Sequence, residues 1–108
     1  METVPFSKWL ELDLRTAKIL EVHDIEKKDK LYKLTIEIGK EKRELVAGIK
    51  QHYSKEELIG KTIVVFTNLE PKNFAGIESK GMLLAADQEG KPVLLVPDKK
   101  VNSGEKIR

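Results

Sequence analysis

The stretch Leu31-Tyr-Lys-Leu-Thr-Ile-Glu-Ile38 decides the fold. Tyr32, Leu34, Ile36 and Ile38 alternate with Lys33, Thr35 and Glu37. Successive side chains of a strand point to opposite faces, so the alternation makes one face apolar and the other polar. The segment is read as a half-buried strand lying on a core. Before it, Asp13 to His23 alternates less cleanly: Leu14, Leu20 and Val22 share one face, Ala17 and Ile19 the other. Such a strand is expected to curve and to present both faces to the core in turn. Glu44 to Ala47 makes a short third strand that ends at Gly48. The β-branched and aromatic run Thr62 to Thr67 suits a central strand buried on both sides. Gly81 to Ala86 and Pro92 to Val96 flank Asp87-Gln-Glu-Gly-Lys91, a hairpin loop in which Gly90 can take positive φ.

Helix signals are few. Ser54-Lys-Glu-Glu57 fits a capping box, in which the Ser hydroxyl accepts the N3 amide and Glu57 reaches back to the cap amide. Gly60 supplies the stop, so about two turns are expected. A second short helix is read from Ser7, carrying Trp9 and Leu10. Three strands, a short helix and then the remaining strands is the order of an OB-fold. This all-β, five-stranded Greek-key barrel is partly open, with its helix between the third and fourth strands. The barrel is expected over about residues 12–97, with 98–108 as a C-terminal extension of one domain spanning 1–108.

Composition narrows the function. A chain of 108 residues suits a single domain with one modest core. Twenty Lys and Arg oppose eighteen Asp and Glu, and a net charge of +2 speaks against a histone-like polycation. Cysteine is absent, which excludes disulfides, thiolate chemistry and cysteine-bound zinc. Lysine and glutamate dominate over asparagine and glutamine, a pattern common in thermophile proteins. The longest apolar run, Ile63 to Phe66, is far too short to cross a bilayer, and the first thirty residues do not resemble a signal peptide. A soluble, cytoplasmic protein without a membrane partner is expected.

Catalysis finds little support. His23 and His52 are the only histidines, and neither has a second histidine at metal-binding spacing. Gly76 and Gly81 lack the Lys-Ser/Thr that a phosphate loop needs. The carboxylate pairs Glu56/Glu57 and Glu41/Glu44 fall in helix-cap or hairpin contexts. No catalytic residue, metal site or cofactor is expected.

Binding is better supported. Lys27, Lys28, Lys30 and Lys33 crowd the segment between the first two strands, the loop with which OB-folds grip nucleic acid. Lys40, Lys42 and Arg43 gather in the next hairpin, and Lys72 and Lys80 bracket the loop after the fourth strand. Each run is diluted by acids such as Glu26, Glu44 and Glu78, so from charge alone a solvated surface accounts for the lysines better than a binding site does. The segment Asn68 to Met82 is long for a connector, and long loops in small domains usually carry function. Within it, Asn68 and Ser79 can hydrogen-bond a base edge or phosphate, and Lys72 supplies charge. Phe74 or Met82 can stack on a base, although Met82 also suits a core position and Phe74 a loop anchor.

Five ordered motifs together carry a resemblance. They are Leu12-Asp-Leu-Arg-Thr-Ala-Lys-Ile19, Asp29-Lys-Leu-Tyr32, Val46-Ala-Gly-Ile49, Asn68-Leu-Glu-Pro-Lys72 and Ile77-Glu-Ser-Lys-Gly-Met-Leu-Leu-Ala-Ala86. From about Phe6 to Ile107 the chain resembles the OB-fold tRNA-binding domain of the methionyl-tRNA synthetase C-terminal and beta-subunit family. That module also occurs as a free-standing tRNA-binding protein. The resemblance implies non-catalytic, structure-specific binding of tRNA at its outer corner and acceptor side. It places Lys30 and Lys33 on basic positions, Asn68 and Lys72 on the Asn-Leu-x-Pro-Lys/Arg motif, and Ser79 and Met82 on the Ser-x-Gly-Met motif. Arg15 matches the Asp-Leu-Arg motif, where a structural role serves equally.

The resemblance further implies a homodimer whose interface takes in Val93 to Ile107, with Leu94, Val96, Val101 and Ile107 as a self-complementary patch. A methionyl-tRNA synthetase catalytic chain is an implied partner. Met1 precedes the first motif by few residues, as expected of a free-standing form or of a domain cut from a longer synthetase. Asn73, Phe74 and Ala75 depart from a frequently basic stretch, so weaker phosphate contact is expected. Thr16-Ala17 stands for a frequent Val-Gly. A secretion-chaperone branch shares the fold but tends to lack the Ser-x-Gly-Met and Val-x-Gly-Ile patterns that this chain carries. A generic single-strand binder is the other alternative.

Overall fold

The computed structural model describes residues 1–108. Its elements are α1 (Phe6–Glu11), β1 (Leu14–Ile25), β2 (Lys28–Ile38), β3 (Glu41–Ala47), α2 (Lys55–Leu58) and β4 (Thr62–Phe66). Five shorter strands follow: β5 (Lys72–Phe74), β6 (Ile77–Ser79), β7 (Met82–Leu83), β8 (Ala85–Gln88) and β9 (Lys91–Leu94). The main antiparallel sheet has the order β3-β2-β1-β4-β7, the Greek-key arrangement expected from the sequence. The helix α2 lies between the third and fourth strands, also as expected.

The alternation in β2 does what the sequence implies. Tyr32, Leu34, Ile36 and Ile38 are buried, and Lys33, Thr35 and Glu37 lie on the outer face. Ile19, Leu34, Ile36, Leu45, Leu58, Ile63 and Val65 are fully buried and form the core. Each such side chain contributes about 1.5–3 kcal/mol by leaving water. In β1 the phase change has a visible cause. Ile19 pairs with Ile36 but Glu21 pairs with Thr35, so Leu20 is an extra residue at a bulge. A bulge turns the following side chains to the other face, and the core therefore receives Ala17 and Ile19 before it and Val22 after it.

Ser54 forms the expected capping box, accepting from the Glu57 amide at 3.2 Å while its own amide donates to Glu57 Oε1 at 2.7 Å. The helix is shorter than expected, one turn, because Ile59 already has extended dihedrals and Gly60 has φ of +88°. In β4, Ile63 and Val65 are buried but Thr62, Val64 and Phe66 are half-covered, so burial is one-sided where a two-sided strand was expected.

Three further expectations change. Lys28 and Lys30 join Lys33 inside β2, because Ile25 pairs with Lys28 across a tight turn and little loop remains. Residues 68–82 are no plain connector: β5 and β6 pair within them as a small hairpin. The strand expected over 81–86 divides into β7, which pairs with β4, and β8, which pairs with β9. The β8–β9 turn is only two residues, Glu89 and Gly90, with φ of +52° and +84°. Positive φ at both central positions matches the twist of a two-residue hairpin.

The C-terminal residues fold back on the open edge of β1. Beyond Lys18 that edge has β2 as its neighbour, but Leu14 to Thr16 does not. There the tail substitutes: Thr16 N donates to Glu105 O at 2.9 Å, Gly104 N to Thr16 O at 2.7 Å and Ile107 N to Leu14 O at 2.8 Å. Leu94 is buried in the barrel's own core, so the expected four-residue apolar patch is incomplete. Val96 and Val101 remain exposed, as do Phe6, Trp9 and Leu10 of α1. No helix is long and apolar enough to cross a membrane.

Candidate nucleic-acid interface

The outer face of β2 and β3 is polar because its inner face is core. The register sets Lys33 opposite Val46, Thr35 opposite Glu44 and Glu37 opposite Lys42. The β5–β6 hairpin lies along the free edge of β3, held by Lys80 N donating to Glu44 O at 3.1 Å and Val46 N donating to Ser79 Oγ at 3.0 Å. Two grooves result.

The first, of about 430 Å³, is lined by Lys33, Thr35, Lys42, Arg43, Glu44 and Lys80 among others. Four cations therefore share one groove although they come from three separate segments. Two are partly screened: Lys33 Nζ lies 3.5 Å from Glu44 Oε2, and Lys80 Nζ lies 3.6 Å from Glu78 Oε1. Arg43 is tied internally. Its guanidinium donates to Thr67 O at 2.6 Å and to Lys80 O at 3.3 Å and pairs with Glu41, clasping the ends of β4 and β6. The second groove, of about 480 Å³, is more apolar and is lined by Val46, Leu69, Glu70, Pro71, Lys72, Phe74 and Met82, with the buried Ser79 and Gly81 completing it. Lys72 Nζ stands 5.1 Å over the Phe74 ring, a cation–π distance.

The six candidate residues part company here. Lys33 belongs to the first groove, and Lys72 and Met82 to the second. Met82 is 53% exposed, which removes the core alternative for it. Lys30 is exposed in β2 and lines neither groove. Asn68 is committed to the backbone: its Oδ1 accepts from Asp13 N at 2.8 Å and its Nδ2 donates to Glu11 O at 2.7 Å. Ser79 is buried, and its hydroxyl accepts from Val46 N and donates to Gly81 O at 3.2 Å.

The Ser-x-Gly-Met motif is thus mostly architecture. A β-carbon on Gly81, whose φ is +127°, would lie 2.8 Å from Phe66 O, so only glycine lets this turn meet β4. Arg15 is structural as well, pairing with Asp13 at 3.0 Å and donating to Gly104 O at 3.2 Å. Lys42 and Lys80, noted in the sequence only as members of lysine clusters, join the site, and Thr35 joins it without having been singled out. The cross-strand register of β2 and β3 was the available signal for Thr35 and Lys42; Lys80 needed the hairpin.

Comparison with known proteins follows the same direction. A family model described as "Putative tRNA binding domain" matches residues 14–106. Over 108 residues the chain is 51% identical to a methionine–tRNA ligase of Pyrococcus horikoshii and 50% identical to one of Thermococcus kodakarensis. It spans all of its own length but 15% of theirs. Among solved structures, a MetRS-related protein from Pyrococcus horikoshii matches with a TM-score of 0.94 at 33% identity, each chain covered completely. The chaperone CsaA from Bacillus anthracis matches with a TM-score of 0.89 at 30% identity, over 99% of this chain and 100% of the other.

Proposed function

The chain belongs to the tRNA-binding domain family, and from that premise we propose that it binds folded tRNA in a structure-specific, non-catalytic way and assists aminoacylation. The observation that carries the reading is the lysine-lined groove on the outer face of β2 and β3, continued by Lys72 on the hairpin. Phosphates recognised along such a groove report the shape of the RNA rather than its sequence. Lys33, Lys42, Lys72 and Lys80 are the proposed phosphate contacts and Met82 an apolar contact. Asn68 and Ser79 act through the shape they hold, and Lys30 at the margin.

Likeness to methionine–tRNA ligases supports association with a methionyl-tRNA synthetase catalytic chain in the cytoplasm. Holding tRNA beside that partner raises its effective concentration there. We assign the exposed Val96 and Val101, together with α1, to a homodimer contact; sedimentation of the purified chain measures it. The likeness to a CsaA chaperone favours one second reading, suppression of aggregation by exposed apolar surface.

Gel-shift titration with folded tRNA and with duplex DNA tests the first reading. Tighter binding of tRNA is expected, and equal affinity for the two would overturn it. A chaperone would suppress aggregation of an unfolded client and ignore tRNA.

A further inference from the structure

The second groove differs from the first in kind. Leu69, Pro71 and Phe74 supply an apolar wall from the hairpin side, and Val46 and Met82 supply one from the sheet. Its volume of about 480 Å³ lies within the ~300–1,000 Å³ of small-ligand sites. Its frame is held by groups already bonded inside the protein: Ser79 ties β6 to β3, and Gly81 brings the turn against β4. The one charged group over its aromatic ring is the ammonium of Lys72. Across β6 lie Lys33 and Lys80 of the first groove. Glu70 lines the groove as well, but the charge that stands over the ring is the Lys72 ammonium, so an apolar slot with that cation at its border is complementary to a flat base attached to a phosphate.

We propose that this groove is a slot for one unpaired nucleobase, received between Phe74 and Met82 with its phosphate met by Lys72. The proposal rests on the tRNA reading above and adds a chemical demand to it. A base inside an A-form duplex is stacked on both faces and its edge is occupied by its partner, so it cannot enter. The slot therefore selects RNA that displays a looped-out base, and the lysine groove takes the backbone beside it. Aromatic stacking tolerates any base, so no sequence preference comes with it.

Three probes test the slot on the full chain: a folded tRNA transcript, an RNA stem closed by an unpaired loop, and the same stem as a blunt duplex. The looped stem is expected to bind about tenfold tighter than the blunt duplex, the scale of one stacked base. Phe74→Leu should remove most of that preference and leave blunt-duplex binding unchanged, whereas Phe74→Tyr should keep it. Met82→Gln provides a second variant from the sheet side, and melting curves verify that each variant folds. A 2-aminopurine in the loop should be quenched by the unaltered protein and not by Phe74→Leu. If tRNA binds but the looped and blunt stems bind equally, the slot is overturned and the tRNA reading stands. If no RNA binds, both fall. If Phe74→Leu instead abolishes capture of an unfolded, alkylated polypeptide with no loop preference, the slot is a peptide site and the proposal fails.

Discussion

Gly104 packs so closely on Gly39 that a β-carbon on it would lie 2.8 Å from Gly39 N and 2.9 Å from its Cα. Both glycines have positive φ, +87° and +63°. This contact closes the C-terminal tail over the β2–β3 turn, with Ser103 Oγ accepting from Gly39 N at 3.1 Å and donating to Glu37 at 3.0 Å. Gly104→Ala meets both a backbone clash and strain in φ, so about 1–3 kcal/mol of stability should be lost. Thermal unfolding should show a midpoint lower by roughly 5–15 °C. An unchanged midpoint would mean that the tail can leave β1 freely.

Asn68 and Lys72 stand four positions apart in one motif, yet the structure gives them different work. Asn68→Ala deletes two bonds, one to the end of α1 at Glu11 and one to Asp13 just before β1, and should cost about 1–2 kcal/mol. Lys72→Ala removes an exposed cation and should weaken tRNA binding several-fold, on the order of one lost phosphate contact, with the melting midpoint unmoved. Paired melting and gel-shift measurements separate the two.

Glu44 screens Lys33 within the first groove. Glu44→Gln should free that lysine and tighten tRNA binding by about two- to fivefold, a gain that disappears at high salt. Exposed ion pairs contribute about 0–1 kcal/mol, so stability should barely change. Weaker binding on this substitution would place Glu44 among the contacts to RNA.

Three to five phosphate contacts should make the log of tRNA affinity fall with log salt at a slope of roughly −2 to −4. Lys80→Ala should make it shallower by about one unit. A salt-independent affinity would remove the lysine groove from the interface.

Acid stability should turn on Asp13. The Thr67 hydroxyl, and less strongly Arg15, hold its carboxyl below the ordinary 3.8, against partial burial that raises it. A depressed folded-state pKa gives stability that is present above the unfolded value and lost as pH falls through the folded one. Melting midpoints should therefore drop below about pH 4, and Asp13→Asn should drop less over that window while starting lower at neutral pH. Asp24 adds in the same direction through its bonds to Lys55 and Lys50.

The sequence by itself determined the first four strands, the cap and the family. A period of two in Leu31 to Ile38 leaves one solution for which face is buried, and Ser54 with Glu57 satisfies helix-end amides through residues three apart. Such signals are local, so they can be read locally. Which side chains are free is decided across the chain. Asn68 and Ser79 carry the donors and acceptors expected of an RNA contact, and both are consumed by backbone groups 55–57 and 33 residues away. Lys33, Lys42 and Lys80 look like scattered surface charge until the β2–β3 register and the β5–β6 hairpin bring them to one groove. Hydrogen-bond satisfaction and charge proximity depend on distance in space, and only the folded chain sets those distances.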